Sequence, residues 1–258
     1  PALLLLGEQH DAAAHQQWQA QTVQWLAQRQ QLAALVLEMA EAGHSTQGLA
    51  ATANEAQVRQ ALGWQEELWP WERYRAVVMA AVRAAVPVFG GNLPRQHMTQ
   101  AQRNPNFDTH LSPAAWQRQQ TAVREGHCNL LPERLLVPMA RIQLARDQSL
   151  ALSALQALQP ARTVVLVAGF AHVQRQLGIP TWLPPNLEAK VAIAQAGQAQ
   201  AAIEKEADEL YLTPALPAHD ACAELRQQWQ APPAGAATPA ADAAAPNAAA
   251  PVHAPAAP

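Results

Sequence analysis

Hydrophobic residues along this chain fall into two patterns that alternate. Runs at residues 2–6, 35–38, 86–90, 163–168 and 190–194 are continuously apolar, as expected of strands buried on both faces of a parallel sheet. Between them lie stretches with helical spacing. Residues 12–29 place Trp18, Val23, Trp25 and Leu26 on an apolar stripe, with Gln-rich outer faces. Residues 71–85 run unbroken to a stop just before Pro87. Residues 132–158, rich in Ala, Leu, Gln and Arg, predict a long helical region, and 170–177 a short helix ended by Gly178 and Pro180. A last strand is predicted at 208–213, near the sheet edge. This alternation specifies an α/β fold with a mainly parallel sheet flanked by helices. The rhythm breaks between Asn92 and Arg134, a polar stretch carrying His97, His110 and His127. With the helix that follows, it predicts a smaller helical insertion over about residues 95–158, capping one edge of the sheet.

Composition changes this picture at the C-terminal end. Residues 230–258 are almost entirely Ala and Pro, which cannot bury enough apolar surface to offset ordering entropy, so a disordered tail is expected there. One α/β domain over residues 1–229 remains. The net charge of −3, with 14% charged residues and no basic patch, argues against a nucleic-acid partner. Two cysteines, Cys128 and Cys222, are too few for a disulfide scaffold and form no CxxC; an oxidising compartment would permit one long-range bridge. A chain that opens directly into a strand is expected to have lost a leader segment.

Ligands of open α/β sheets bind beyond the carboxyl ends of the strands. The first strand is followed by Gly7-Glu8-Gln9-His10-Asp11, the second ends in Glu38-Met39-Ala40-Glu41, the third in Gly90-Gly91-Asn92 and the fourth in Ala168-Gly169-Phe170-Ala171-His172. Taken singly, Glu8, His10 or Asp11 would pass for helix-capping groups. Together they put two carboxylates, two imidazoles and an amide on one rim, and buried carboxylates are costly unless paired or used.

The ordered set Gly7-Glu8-Gln9-His10-Asp11 with His15, Leu37-Glu38-Met39, Trp69-Pro70 with Tyr74, Asn92-Leu93-Pro94-Arg95, Gly126-His127-Cys128 with Leu131-Pro132, Gln143 with Arg146-Asp147, and Ala168-Gly169 with His172 resembles the haem-binding uptake lipoproteins of the ChaN type. Their superfamily also holds erythromycin esterases and TIKI/TraB-type proteases. The resemblance runs from about Leu3 to Cys222. It implies a bacterial envelope protein on the periplasmic side or outer membrane, lipid-anchored in its full-length form. It also implies haem as cofactor, a homodimer sharing it, and an outer-membrane haem receptor as partner. An envelope location in turn implies that Cys128 and Cys222 are paired.

Three uses of the site follow. As a haem carrier, the chain offers Tyr74 as the candidate ligand of ferric iron, because a phenolate oxygen holds Fe(III) well. Trp71, Arg73, Asn92 and His127 would complete the cofactor site, and His127 or His44 would replace Tyr74 if needed. Tyr211, in an apolar-patterned strand, reads more simply as a packing residue. As a hydrolase, Glu8, His10, Glu38 and His172 would activate water, with no Gly-x-Ser-x-Gly elbow present. As a divalent-metal site, the same four residues offer an N/O ligand set. Gln143, Arg146 and Asp147 share a helix, with Gln143 and Asp147 on one face, and the resemblance implies that they orient the site or salt-link the helix to the sheet.

Overall fold

The computed structural model describes residues 1–230. Its elements, in chain order, begin with β1 (Leu3–Glu8), α1 (Ala13–Gln28), β2 (Leu32–Glu41), α2 (Glu55–Ala61), α3 (Trp71–Arg83) and β3 (Val88–Asn92). The helical stretch follows, with α4 (Met98–Arg103), α5 (Pro113–Gly126) and α6 (Glu133–Gln156). The chain then returns to the sheet through β4 (Thr163–Gly169), α7 (Phe170–Val173), β5 (Ala189–Ala196), α8 (Ala201–Glu204), β6 (Glu209–Thr213) and α9 (Ala221–Gln230). All six strands are parallel, in the order β3-β2-β4-β1-β5-β6. The tail expected at 230–258 lies, apart from its first residue, outside the described residues.

The central strands are buried along nearly their whole length, which explains their continuous hydrophobicity. Because side chains alternate across a strand, Leu35 and Leu37 face one layer while Val36 faces the other. The first layer is packed by Val23 and Leu26 of α1 and by Val77 and Val78 of α3. The second is packed by Leu150, Ala151 and Ala154 of α6, with Phe170 and Ile179. The C-terminal half of α6 therefore covers a sheet face, while Leu144 and Ala145 pack on Phe107 and Leu111 of the helical part. Pro138 is the sixth residue of α6, past the first turn, so its missing amide removes one i→i−4 helical hydrogen bond there.

Several elements depart from expectation. β2 begins at Leu32, three residues early, because its first residues pair with Thr163 and Val164 of β4. α3 ends at Arg83, and Ala85 adopts a left-handed φ of 58° before Pro87. The helix predicted at 170–177 is a single turn. The chain folds back so that Gly178 sits against the carbonyl of His172, where a Cβ would stand 2.0 Å from the oxygen. On α1 two expectations are reversed. Gln16 and Gln19 are buried, whereas Trp25 is half exposed under the Arg29 guanidinium.

Cys128 and Cys222 form a disulfide that ties the turn after α5 to the start of α9, closing a loop of 94 residues. In the chain-entropy account such a loop stabilises by about 4–5 kcal/mol through the unfolded state. Cys222→Ser is expected to lower unfolding stability by about that amount. Urea unfolding of the variant beside unreduced wild type measures it, and equal midpoints would show that the tether contributes nothing.

Candidate functional site

Parallel pairing sets all the strand carboxyl ends on one rim, and the sheet order makes β2, β4 and β1 neighbours there. Glu8 closes β1, Glu38 lies near the end of β2, and Gly169 closes β4. The place of Gly169 between the other two explains its lack of a side chain. A Cβ would stand 2.8 Å from His10 Nε2 and 3.6 Å from Glu38 Oε2. The single turn of α7 then carries His172 back over the rim, and α6 brings Asp147 from the other side.

These groups form one buried chain of contacts. His172 Nδ1 lies 2.6 Å from Asp147 Oδ1, and its Nε2 lies 3.4 Å from Glu38 Oε1. Glu38 Oε2 accepts the Gly169 amide at 2.7 Å and faces His10 Nε2 at 3.7 Å. His10 Nδ1 is 2.8 Å from Glu8 Oε1, which also accepts the Tyr74 hydroxyl at 2.8 Å. The second Glu8 oxygen accepts the side-chain amides of Gln16 and Gln19, each at 2.8 Å. Sequence reasoning missed those two glutamines. Their three-residue spacing on the helix that follows the Glu8 motif was the available signal, since it sets both on the face turned toward Glu8.

Burial disfavours charge on every member, so the balance decides the protonation. For Glu38, burial is outweighed by His172 and His10 together with the bonds from His172 and Gly169, and the carboxyl is held well below the usual range. His172 is pushed up to about 10, because Glu38 and Asp147 overcome its desolvation. His10 is raised for the same reason, by Glu38 and Glu8 against burial. Burial pushes Asp147 up to about 6, opposed by His172, and lowers the Arg146 guanidinium beside it. The centre is thus a carboxylate clamped between two imidazoles that favour their charged forms, a proton-holding array in which His172 is a poor general base at neutral pH.

The four residues expected to act together, Glu8, His10, Glu38 and His172, do meet. Asp147 joins them, as expected of a group that orients the site. The divalent-metal reading gains no support: among the described residues no group of three or more His, Cys, Asp or Glu is disposed to hold a metal ion. The physical reason is that their nitrogens and oxygens are turned onto one another rather than onto a common point.

The residues expected to bind cofactor do not form one cradle. Tyr74 is fully buried, its hydroxyl is donated to Glu8, and burial next to that carboxylate raises its pKa, which disfavours the phenolate form. Trp71 is buried edge-on to Trp64 and donates to Glu55 at 2.6 Å. Arg73 reaches the His10 carbonyl at 3.2 Å. Asn92 is buried with its Oδ1 unpartnered among the described residues. His127 lies apart, at the end of α5, with Nδ1 donating to the Val123 carbonyl and Nε2 enclosed. His44, by contrast, is exposed, and its ring lies against Gly63, where a Cβ would meet it at 2.8 Å. Gly63 lines an open concavity of about 320 Å³ with Arg59, Gln60 and Trp64. His15 is buried too. Its Nδ1 accepts the Gln9 amide, so Nε2 carries the hydrogen toward Thr213 Oγ1, and burial lowers its pKa.

A histidine whose pKa is raised on folding contributes stability that is complete below its ordinary value of 6.5 and is lost as pH climbs toward 10. The thermal midpoint of the wild type is therefore expected to fall between pH 6.5 and 10 with a slope that His172→Gln lacks. Equal slopes in scanning calorimetry would mean that His172 is not charged in the folded chain.

Against solved structures the chain is similar to ChaN of Campylobacter jejuni, described with cofacial haem binding. The TM-score is 0.64 and the identity 21%, over 80% of this chain and 85% of that one. A looser likeness, to the type III effector HopBA1, has a TM-score of 0.45 and 12% identity over 83% and 88% of the two chains. No curated protein matches it. The family model described as haem-binding uptake, Tiki superfamily, ChaN, matches residues 2–183, most of the described chain, and the protein belongs to that family.

Proposed function

We propose that this chain is a cell-envelope haem-binding protein serving haem or iron uptake, and that His44 rather than Tyr74 or His127 supplies the iron ligand. Family membership over residues 2–183 supports haem as cofactor. The observation that carries the site is the exposed His44 imidazole resting on Gly63, beside the concavity that Arg59, Gln60 and Trp64 line. An accessible imidazole nitrogen is a suitable axial ligand, an indole suits a porphyrin, and a guanidinium suits a propionate. When bound, haem would supply an iron centre for carriage. The residues here would bind the macrocycle and fix its orientation. A concavity of about 320 Å³ is at the small end of ligand pockets, which span about 300–1,000 Å³, so one face of the macrocycle would stay open for hand-over to a receptor. The lipid anchor, the periplasmic side of the outer membrane, a haem receptor and a homodimer belong to the same proposal. Among the described residues no helix is long and apolar enough to cross a membrane.

Titration of the purified protein with haemin tests this. Wild type is expected to bind saturably with a shifted Soret band, His44→Ala to lose at least ten-fold in affinity, and Tyr74→Phe and His127→Ala to bind like wild type. Undiminished binding by His44→Ala would move the ligand elsewhere, and a non-saturating rise in wild type would remove haem altogether.

A second reading, hydrolysis at Glu8, His10, Glu38 and His172, is favoured by the buried Glu38–His172–Asp147 contact, a carboxylate-held imidazole. With His172 pushed up to about 10, it would serve as an acid rather than a base. On a panel of ester substrates, Glu38→Gln is expected to abolish turnover while leaving haemin affinity unchanged, and a wild type inert on every substrate would sink the reading.

A further inference from the structure

We propose that residues 214–227 form a strap across the strand-end rim, latched by the Cys128–Cys222 disulfide, and that reducing this bond opens the approach to His10 and His172. The strap is defined by where the segment runs and by how little else holds it, whichever use of the rim is right.

The segment leaves β6 at the outer edge of the sheet, two strands from β1 in the order β4-β1-β5-β6. It first passes the end of β5. Ala215 packs there on Gly197, where a Cβ would stand 3.4 Å from the alanine side chain. It next reaches the loop after β1. The exposed His219 imidazole is raised by its bond to Glu224, and the charge of Asp11 adds to that effect. Asp11 directly follows His10. Three residues beyond His219, a span of at most about 11 Å, Cys222 is bonded to Cys128 at the end of α5. The segment therefore joins the far edge of the sheet to the helical insertion and passes beside His10 on the way. The His10 and His172 side chains are only 12% and 10% exposed.

Noncovalent attachment of the strap is slight. Among the described residues from 214 to 227 none is buried. The hydrogen bonds described for it are local, from the Ala223 amide to Asp220 and between His219 and Glu224. A segment with few buried contacts opens at low cost, so the disulfide is what fixes its position. The groups beneath have anchors of their own, Glu8 for His10 and Asp147 for His172. Both cysteines are only partly buried, within reach of a dithiol reductant. One thiolate of the reductant attacks a sulfur of the bridge and releases the other cysteine. Its second thiolate then attacks the mixed disulfide and releases the first. The reductant leaves as a cyclic disulfide, and two electrons and two protons have passed to Cys128 and Cys222.

Hydrogen exchange at the imidazole C2 positions of the full chain, read by mass spectrometry with and without dithiothreitol, tests the proposal without any ligand or substrate. On reduction the rates at His10 and His172 are expected to rise about ten-fold, with an unchanged circular dichroism spectrum. His15, buried and bonded to Thr213 ahead of the strap, is expected to keep its rate. A chain carrying both Cys128→Ser and Cys222→Ser is expected to match the reduced protein with no reductant present. Unchanged rates at His10 and His172 in a chain with two free thiols would overturn the proposal. So would an equal acceleration at His15, which would show the bridge holding the whole domain rather than a strap.

Discussion

A carboxylate taken out of water must be compensated, and in this fold the compensation of Glu38 organises everything around it. Glu38 is almost completely buried near the carboxyl end of β2, and it draws on three separate elements: the Gly169 amide at the end of β4, His172 on α7 and His10 on the loop after β1. Each of these has its own anchor. Asp147 on α6 holds His172, and Glu8, itself bound by Tyr74, Gln16 and Gln19, holds His10. Sheet, covering helices and helical insertion are therefore joined at one polar knot as well as by their apolar layers. Removing one partner of such a knot leaves the other charge buried, which is why its members belong together.

The same feature separates the two functions considered. A water-activating base must be unprotonated at working pH, whereas the two imidazoles here are biased toward their charged forms. The knot holds an imidazole between carboxylates, the arrangement on which the hydrolase reading rests, but its electrostatics favour holding protons. The surface around His44 has the opposite character. It is accessible, it is open on one side, and it has an indole and a guanidinium within one concavity. Carriage asks for a ligand that can leave as well as enter, and an open site suits that better than an enclosed one.

The fold was largely legible because buried parallel strands leave an unambiguous mark, a continuous apolar run closed by a polar residue at the functional rim. The meeting of Glu8, His10, Glu38 and His172 was legible for the same reason, since strand ends converge whatever the loops do. What could not be read were choices made by partners remote in sequence. Gln16 and Gln19 look like an outer helical face until Glu8 draws them inward. Tyr74 looks like an exposed ligand until that same carboxylate claims its hydroxyl. Tyr211 looks like core by pattern, yet it lies on β6, the last strand of the sheet, and among the described residues it stays well exposed.

The exposure of His10 and His172 sets one more property. Only about a tenth of each imidazole side chain touches solvent, and the carboxyl of Glu38 between them is sealed. Those two ring edges are the parts of the knot that bulk water touches, so the imidazoles that balance the charge of Glu38 also stand between it and solvent.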